Sequence, residues 1–403
     1  MMQRAAPGTV GVFKTGDAQQ RLADDAASQS VSKSPSELLL ENLKTPAGAR
    51  VLCKLPWDGA PPDHECQKTQ RSREWYQARM TVPGSNRPPV TASQCKEVSG
   101  LMDSNVRGDE MHQMRQFHLG LVTTPDVQGS TNDKSVKIKN ANLKWGKENE
   151  HQGVVAVALH LAKNAPETKI QEIGIVRVEG DPMGTEIDKL LTASPDALIL
   201  DGTGVPRGVL EIKCPASDRD GNKRFQQLDS EQNYDAETPK PHWLLQLLLQ
   251  RYVLCNSGLV QQGGATVDKG YLACWGEKYT FLWTVDYEDK THSDCVKEVL
   301  AAYERRLGWW LDLAAFNEFE TVRRGGRFKF RQGGKAGETY DDIKYACDNL
   351  IVNLPVQVLD STTGKVIRVE NENGRKARVQ RASSAAKDDA EDGEVDGEGE
   401  QAG

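Results

Sequence analysis

Two carboxylates and a lysine stand at a spacing that suits a metal site. Asp196 follows a Ser-Pro pair, and Glu211 and Lys213 belong to the apolar run 208–213. Alternate residues of a strand share a face, so Glu211 and Lys213 emerge together, and antiparallel pairing of 197–200 with 208–213 would bring Asp196 beside them. Such carboxylates suit Mg²⁺ or Mn²⁺, and the ammonium could orient a bound water or neutralise charge on a phosphate. The alternative is an ordinary surface Glu–Lys pair.

Two further polar residues are predicted to point toward the same place. Glu150 shares the apolar face of a predicted helix at 145–161, so from the first turn it would point at the sheet. A favourable interaction with the helix dipole is the other explanation for an acid there. Gln246 lies within the apolar stripe of a predicted helix at 242–254. It is either a solvated boundary residue or a group that positions a metal-bound water.

An arginine and a hydroxyl-rich turn form a candidate phosphate site. Arg79 ends the run Arg-Glu-Trp-Tyr-Gln-Ala-Arg, and Thr91 and Ser93 precede a predicted helix that begins near Gln94. A hydroxyl at the start of a helix, with an arginine nearby, can bind phosphate. The alternative is capping alone, because Thr91 and Gln94 have the spacing of a capping box.

The hydrophobic pattern around these residues predicts both strands and helices. Short β runs are expected at 170–178, 197–200 and 208–213, and a hairpin at 271–275 and 279–285. A long final helix is expected at 294–316. Clear periodicity begins at residue 71 and the character of the chain changes after 319, so residues 71–319 are predicted to form the main domain.

The two ends of the chain differ from this domain in composition. Residues 1–70 are rich in Gly, Pro, Ser, Asp and Gln and are predicted to be a mostly flexible extension. Residues 320–381 are predicted to form a basic appendage, and 382–403 a disordered acidic tail. Five cations near two phenylalanines in the appendage are expected to contact DNA, the alternative being a solvated loop: Arg323, Arg324, Arg327, Lys329 and Arg331.

Composition excludes two classes of protein. No stretch approaches the ~20 uncharged apolar residues that a membrane-spanning helix needs. The short repeat that a collagen-like or coiled-coil rod requires is also absent from the sequence. The net charge of −7 equals that of residues 387–403, which hold one lysine and eight carboxylates, so the neutral remainder can carry basic patches for nucleic acid. The eight cysteines include no C-x-x-C pair, which indicates reduced thiols in a protein of the nucleus or cytoplasm. Import into an organelle is disfavoured by the acidic residues near the N-terminus.

These residues together resemble the lambda exonuclease/YqaJ viral recombinase family, a branch of the PD-(D/E)xK nucleases. The resemblance covers about residues 71–290, and its six motifs are W-x-x-x-R (Trp75, Arg79), T-A-S (Thr91 to Ser93), G-x-x-x-E (Gly146, Glu150), S-P-D (Ser194 to Asp196), L-E-I-K-C-P (Leu210 to Pro215) and the Gln246 helix. This chain departs from the family in a longer, proline-rich stretch after Arg79, in Trp243 where Tyr is more familiar, and in Leu248 where a second Gln is often seen.

The resemblance implies an α/β, restriction-endonuclease-like core with a central mixed sheet flanked by helices. Its implied activity is metal-dependent hydrolysis of DNA from duplex ends, 5′ to 3′, in recombination or repair. Asp196 and Glu211 would hold Mg²⁺ or Mn²⁺ with support from Glu150, while Lys213 would activate the attacking water and Gln246 would position it.

The resemblance also implies partners. Arg79 and Ser93 would hold the 5′ phosphate of a double-stranded DNA end. A single-strand annealing protein as partner and assembly into a homotrimer are further expectations. The alternative, from another functional class, is a non-catalytic protein with a nuclease fold that binds DNA ends or an annealing partner.

Overall fold

A computed structural model describes residues 52–53, 56–85, 87–101, 108–122, 133–179, 188–215, 239–261, 266–317 and 334–370. The strands are β1 (Leu52–Cys53), β2 (Val90–Thr91), β3 (Lys169–Gln171), β4 (Val176–Arg177), β5 (Leu191–Ala193), β6 (Ala197–Leu200), β7 (Pro206–Lys213), β8 (Lys269–Trp275), β9 (Tyr279–Asp286), β10 (Val356–Asp360) and β11 (Val366–Glu370). The helices are α1 (Arg73–Arg79), α2 (Cys95–Ser99), α3 (Gly108–His118), α4 (Asp133–Asn164), α5 (Pro241–Cys255), α6 (Gly258–Gln261), α7 (Lys290–Leu311) and α8 (Gly334–Asn353). The predicted basic residues Arg323, Arg324, Arg327, Lys329 and Arg331 and the acidic tail lie outside the described residues.

The described strands form a mixed sheet of eight strands and a smaller sheet of three. The large sheet has the order β1-β3-β6-β7-β8-β9-β10-β11, in which β1 runs parallel to β3 and β7 parallel to β8, while the other neighbours are antiparallel. The small sheet has the order β2-β5-β4. The predicted antiparallel pairing of 197–200 with 208–213 is confirmed, since Ala197 lies opposite Leu210. The predicted hairpin is also confirmed, as β8 and β9.

Helices cover both faces of the large sheet. On one face α4 packs Val157 and Leu161 against Leu210 and Ile212 of β7. On the other face the apolar residues of α5, α7 and α8 pack into a larger core with the opposite side of the strands, of which Val209 is part. Burial on both sides explains why β7 is mostly apolar; its charged residues are Arg207, which is exposed at its start, and Glu211 and Lys213, where the strand meets the site. The protein is therefore an α/β structure in which helices flank a mixed sheet.

Helix α4, which precedes β3, begins earlier than predicted. A start near Trp145 was expected from the apolar stripe, whereas α4 begins at Asp133. The first part of α4 consists of lysines, asparagines and other residues that tolerate a helix but form no stripe, so periodicity gives no signal there. Glu150 consequently lies in the interior of the helix, and the explanation by the helix dipole does not apply to it.

The main domain extends beyond both predicted boundaries. Past residue 319, β10 pairs with β9 and β11 with β10, so the same sheet continues almost to the end of the described chain. Before residue 71, β1 pairs with β3, and the strap (residues 56–70) buries Trp57 and Cys66 in the core. The predictions of an appendage at 320–381 and of an extension at 1–70 are therefore wrong for the described parts. Both parts of the domain were missed because their short apolar patches are separated by polar residues, prolines and glycines.

The described helices and cysteines agree with the expectations of no membrane-spanning helix and of reduced thiols. Of the helices described, none combines the length and apolarity that crossing a bilayer requires. The cysteines whose side chains are described are free thiols.

Candidate metal and phosphate site

The predicted approach of Asp196 to the end of β7 is confirmed. The chain leaves the small sheet after β5, passes through Ser194 and Pro195, and enters the large sheet at β6. Asp196 stands at this crossing, where one of its carboxylate oxygens, Oδ2, accepts a hydrogen bond of 2.6 Å from the backbone N–H of Ile212. The carboxylate is thereby fixed between Glu211 and Lys213 of the neighbouring strand.

Glu211 and Lys213 form one hydrogen-bonded network with α5. Lys213 Nζ donates to Glu211 Oε1 at 2.5 Å and to Gln246 Oε1 at 2.9 Å. Gln246 Nε2 donates to the same Glu211 oxygen at 2.7 Å. Gln246 is therefore not a solvated boundary residue but a direct partner of both charged groups. An ordinary surface Glu–Lys pair is excluded too, because the Glu211 side chain is only 4% exposed.

Gln250, which the sequence analysis did not identify, completes this network. Its Nε2 donates to Glu211 Oε2 at 2.6 Å, while its buried Oε1 has no hydrogen-bond partner within the described residues. The signal was present in the sequence, because Gln250 follows Gln246 by four positions and shares its helix face. The resemblance directed attention instead to position 248, where Leu248 belongs to the apolar core.

Glu150 pairs with an arginine that no sequence motif had singled out. The side chain of Arg71, immediately after the strap, hydrogen-bonds to Glu150 Oε2. Burial raises the pKa of Glu150, Arg71 lowers it in part, and Glu211 raises it further. Glu150 is thus close enough to the other carboxylates to interact with them electrostatically.

The charges at this site depend on one another. Burial raises the pKa of Asp196 well above its usual range, and the negative charges of Glu211 and Glu150 raise it further. Burial alone would lower the pKa of Lys213, but the Glu211 and Asp196 carboxylates outweigh burial and raise it. Lys213 is therefore an ammonium at neutral pH. A concentration of buried negative charge of this kind is what a bound cation would relieve.

Arg79 contacts the hydroxyls predicted to share its phosphate site. Its Nη2 donates to Ser93 Oγ at 2.8 Å and to Thr91 Oγ1 at 3.2 Å, and its guanidinium stacks over the Trp75 ring at 4.4 Å. Thr91 and Gln94 also form the predicted capping box, so phosphate binding and capping are compatible here. The predicted helix near Gln94 consists of a 3₁₀ turn followed by the five-residue α2.

The small sheet places Thr91 and Ser93, two residues of the candidate phosphate site, near the turn that leads to Asp196. Strand β2 runs parallel to β5 with Thr91 opposite Thr192, two residues before the turn that leads to Asp196. Trp75 Nε1 donates to Ser194 Oγ at 3.1 Å and so fixes α1 to the same turn. The two candidate sites, which are more than a hundred positions apart in the sequence, are adjacent in space.

A single cavity of about 180 Å³ joins the two groups. Its polar lining includes residues from the strap, α1, both sheets and α5, namely Gln70, Arg71, Trp75, Arg79, Thr91, Ser93, Thr192, Ser194, Asp196, Gln246 and Gln250. Within the described part of the chain, the buried Oγ1 of Thr192 has no hydrogen-bond partner, as is also true of Gln250 Oε1. Buried polar atoms without partners in a polar cavity indicate that a polar ligand or water binds there.

The donor chemistry of the site fits a hard divalent cation. Asp196 and Glu211 offer carboxylate oxygens, and the free oxygen of Gln250 is of the same hard type. No set of three or more His, Cys, Asp or Glu side chains in the described ranges is arranged to hold an ion, and Glu150 is paired with Arg71. The two carboxylates are of the type that such a cation prefers, and the assignment of Asp196, Glu211 and Glu150 as its ligands stays a prediction.

No family model matches this chain, and neither curated proteins nor solved structures provide a match to it. The interpretation of the site therefore depends on its geometry and on the residues themselves.

Proposed function

We propose that this protein is a Mg²⁺- or Mn²⁺-dependent deoxyribonuclease that hydrolyses DNA from duplex ends in recombination or repair. The observation that carries the proposal is the cavity that Asp196 and Gln246 line together with Arg79 and Ser93. Hydrolysis of a phosphodiester needs a site for a hard cation and a site for phosphate next to each other. A shared polar cavity that contains both kinds of residue favours this reaction over binding of an apolar ligand.

The residues have separate roles in the proposed reaction. A bound divalent cation would lower the pKa of a water molecule and offset the charge that grows on the phosphate. Asp196 and Glu211 would hold that cation. Lys213 is charged, so it would donate a hydrogen bond to the water or to the phosphate rather than remove a proton. Gln246 holds Lys213 Nζ at 2.9 Å and so fixes the direction in which this ammonium points.

Arg79 would bind the terminal 5′ phosphate of the DNA. A guanidinium can form two parallel hydrogen bonds to a phosphate, which fixes the orientation as well as the position of the group. Ser93 and Trp75 hold the guanidinium in place before the DNA arrives. Exonuclease activity with 5′ to 3′ polarity belongs to this proposal, and the polarity rests on the resemblance alone.

The arrangement of elements supports assignment to the PD-(D/E)xK nucleases, and within them to the lambda exonuclease/YqaJ type. An antiparallel pair, β6 and β7, carries the Asp and the Glu-x-Lys, with α4 on one face and α5 on the other. Association with a single-strand annealing protein and assembly as a homotrimer belong to the same proposal and rest on the resemblance alone.

A second candidate function is binding of DNA ends or an annealing partner without cleavage. It is favoured by one observation: both oxygens of Glu211 already accept hydrogen bonds from Lys213, Gln246 and Gln250. Oε1 accepts two of these bonds, so only Oε2, which accepts one, keeps a lone pair for a cation.

The deciding experiment uses a 5′-labelled linear duplex and a closed circle of the same sequence. Mg²⁺ should support degradation of the linear DNA only, and EDTA should abolish it. Asp196→Asn should reduce the rate by at least about a hundredfold, because the cation loses a charged ligand. Glu148→Gln, a change at an exposed acid on α4, is the matched control and should leave the rate unchanged.

The remaining outcomes separate the two candidates. Wild-type protein that binds the linear duplex but cleaves nothing with Mg²⁺ or Mn²⁺ would establish the binding function instead. Cleavage that persists in EDTA or in Asp196→Asn would exclude the metal mechanism.

A further inference from the structure

Arg71 has a backbone conformation that its own side chain does not favour. Its φ of 68° lies in the left-handed region, which residues other than glycine rarely adopt. Such a conformation persists when the surrounding structure imposes it, and it occurs preferentially at functional sites. The positive φ therefore marks Arg71 as a residue whose position the structure imposes at a cavity.

The neighbours of Arg71 impose this conformation. Gln70 Nε2 donates to the carbonyl of Ile173 at 3.0 Å and to that of Pro195 at 2.7 Å, which attaches the end of the strap to the turn before Asp196. On the other side Ser72 caps α1 by accepting a hydrogen bond from Trp75. The backbone is held on both sides, and the side chain of Arg71 is directed at the cavity.

Arg71 and Arg79 line the same cavity but are held differently. Arg79 is bound by two hydroxyls and by the Trp75 ring. Arg71 makes its ion pair with Glu150, and its side chain is 41% exposed. The Glu150 side chain is less exposed, at 28%, so its carboxylate needs another cation if Arg71 leaves it. Arg71 thus lies between a carboxylate and a cavity suited to phosphate, in a contact whose arginine end is open to solvent.

We propose that Arg71 is an exchangeable counter-ion that couples cation binding to phosphate binding. It pairs with Glu150 in the protein without metal, and it turns to the DNA phosphate once a divalent cation neutralises the carboxylates. This inference rests on the proposed function, because it uses the same carboxylates and the same DNA end. Coupling through one residue is reciprocal, so the cation strengthens phosphate binding and phosphate strengthens cation binding by the same factor.

The test replaces Arg71 and measures each ligand without turnover. Mg²⁺ alone is titrated into the DNA-free protein by calorimetry, and a 5′-phosphorylated duplex is titrated in EDTA and in Ca²⁺. In Arg71→Gln the affinity for Mg²⁺ should rise about fivefold, since no guanidinium competes for Glu150. Its affinity for the duplex in Ca²⁺ should fall about tenfold, since a charged hydrogen bond to phosphate is lost.

Two further variants keep the experiment decisive. Arg71→Gly removes the same charge and suits the positive φ, so it should reproduce both changes in a chain that folds without strain. Arg73→Gln alters an exposed arginine on α1 that does not line the cavity, and both affinities should stay as in the wild type.

A rise in the affinity for Mg²⁺ together with a fall in the affinity for the duplex distinguishes this role of Arg71 from a structural one. If both affinities fall in the two Arg71 variants, or neither changes, the exchange is refuted. Wild-type protein that cleaves DNA while its Arg71 variants show no opposing shifts would refute this inference alone. Wild-type protein that binds no Mg²⁺ would refute both this inference and the proposed reaction.

Discussion

Glu211, a proposed metal ligand, accepts hydrogen bonds from three side chains, which together fix the orientation of its carboxylate. Lys213 and Gln246 share Oε1, whereas Gln250 binds Oε2 from one turn further along α5. The carboxylate can therefore rotate only if Gln250 yields. Residues that orient a metal ligand in this way affect its affinity for the metal.

Replacing Gln250 with leucine should weaken the proposed metal site. Gln250→Leu keeps the approximate size of this buried side chain but removes the donor to Glu211. We expect the Mg²⁺ concentration for half-maximal cleavage to rise about tenfold. The measurement is a Mg²⁺ titration of the cleavage rate, with Leu248→Met, a volume-conserving change in the neighbouring core, as the control. An unchanged Mg²⁺ requirement would show that Gln250 serves packing alone.

The sequence predicted part of this residue-scale arrangement. The positions of Asp196, Glu211 and Lys213 followed from strand alternation and one antiparallel pairing, both of which are local rules. Arg71 could not be found in this way, because its relevance depends on a positive φ and on a contact with distant Glu150. No spacing rule reports either feature.

At the scale of elements, the site depends on how closely α4 approaches β7. Gly153 faces the sheet, and a Cβ atom added there would lie 2.5 Å from Ile212 Cγ2 and 3.3 Å from Trp275 Cβ. A methyl group would push the helix away from the strand that carries Glu211 and Lys213. This glycine therefore serves close packing, although glycine is a poor helix former.

Alanine should have opposite effects at two helical glycines. Gly153→Ala should lower the free energy of unfolding by about 1–3 kcal/mol, because the added methyl overpacks the interface. Gly308→Ala in α7 should raise it by about 1 kcal/mol, because a Cβ there would meet nothing within 4 Å and alanine favours the helix. Urea denaturation of the two variants measures both changes. Two changes of the same sign would contradict the tight approach of α4 to the sheet.

Elements with strong periodicity were predictable, and elements without it were not. The helix expected at 242–254 corresponds to α5, whose apolar residues face a core, and the hairpin at 271–285 has its expected strands. The run predicted at 170–178 is divided between β3 of the large sheet and β4 of the small sheet. The other strands of the small sheet, β2 and β5, have two and three residues, too few for any period to be recognised. The sequence therefore predicted both halves of the site but not the sheet that joins them.

At the scale of the whole molecule, residues 334–370 at the end of the described chain belong to the central sheet and its core. Strand β10 adds a full antiparallel partner to β9, and α8 packs Ile343 and Leu350 into the same core as α7. A boundary at 319, as predicted from composition, would cut through one hydrophobic core.

Truncation should show whether the domain ends at residue 319 or continues to residue 370. A chain that ends after residue 319 loses α8, β10 and β11, and we expect it to be insoluble or to lack a cooperative unfolding transition, because the core and the edge of β9 become exposed. A chain that ends after residue 370 keeps every described element and should unfold cooperatively. Circular dichroism during thermal unfolding compares the two proteins. A cooperative, soluble 1–319 chain would restore the predicted boundary.

The parallel pairing of β1 with β3 has a consequence for the order of events during synthesis. Leu52 leaves the ribosome long before its partner Ile170, and Gln70 must wait for the carbonyl groups of Ile173 and Pro195. Until then Trp57 and Cys66 have no core to enter and stay exposed to solvent. The nascent chain would thus acquire the left-handed turn at Arg71 late, after the sheet that imposes it has formed.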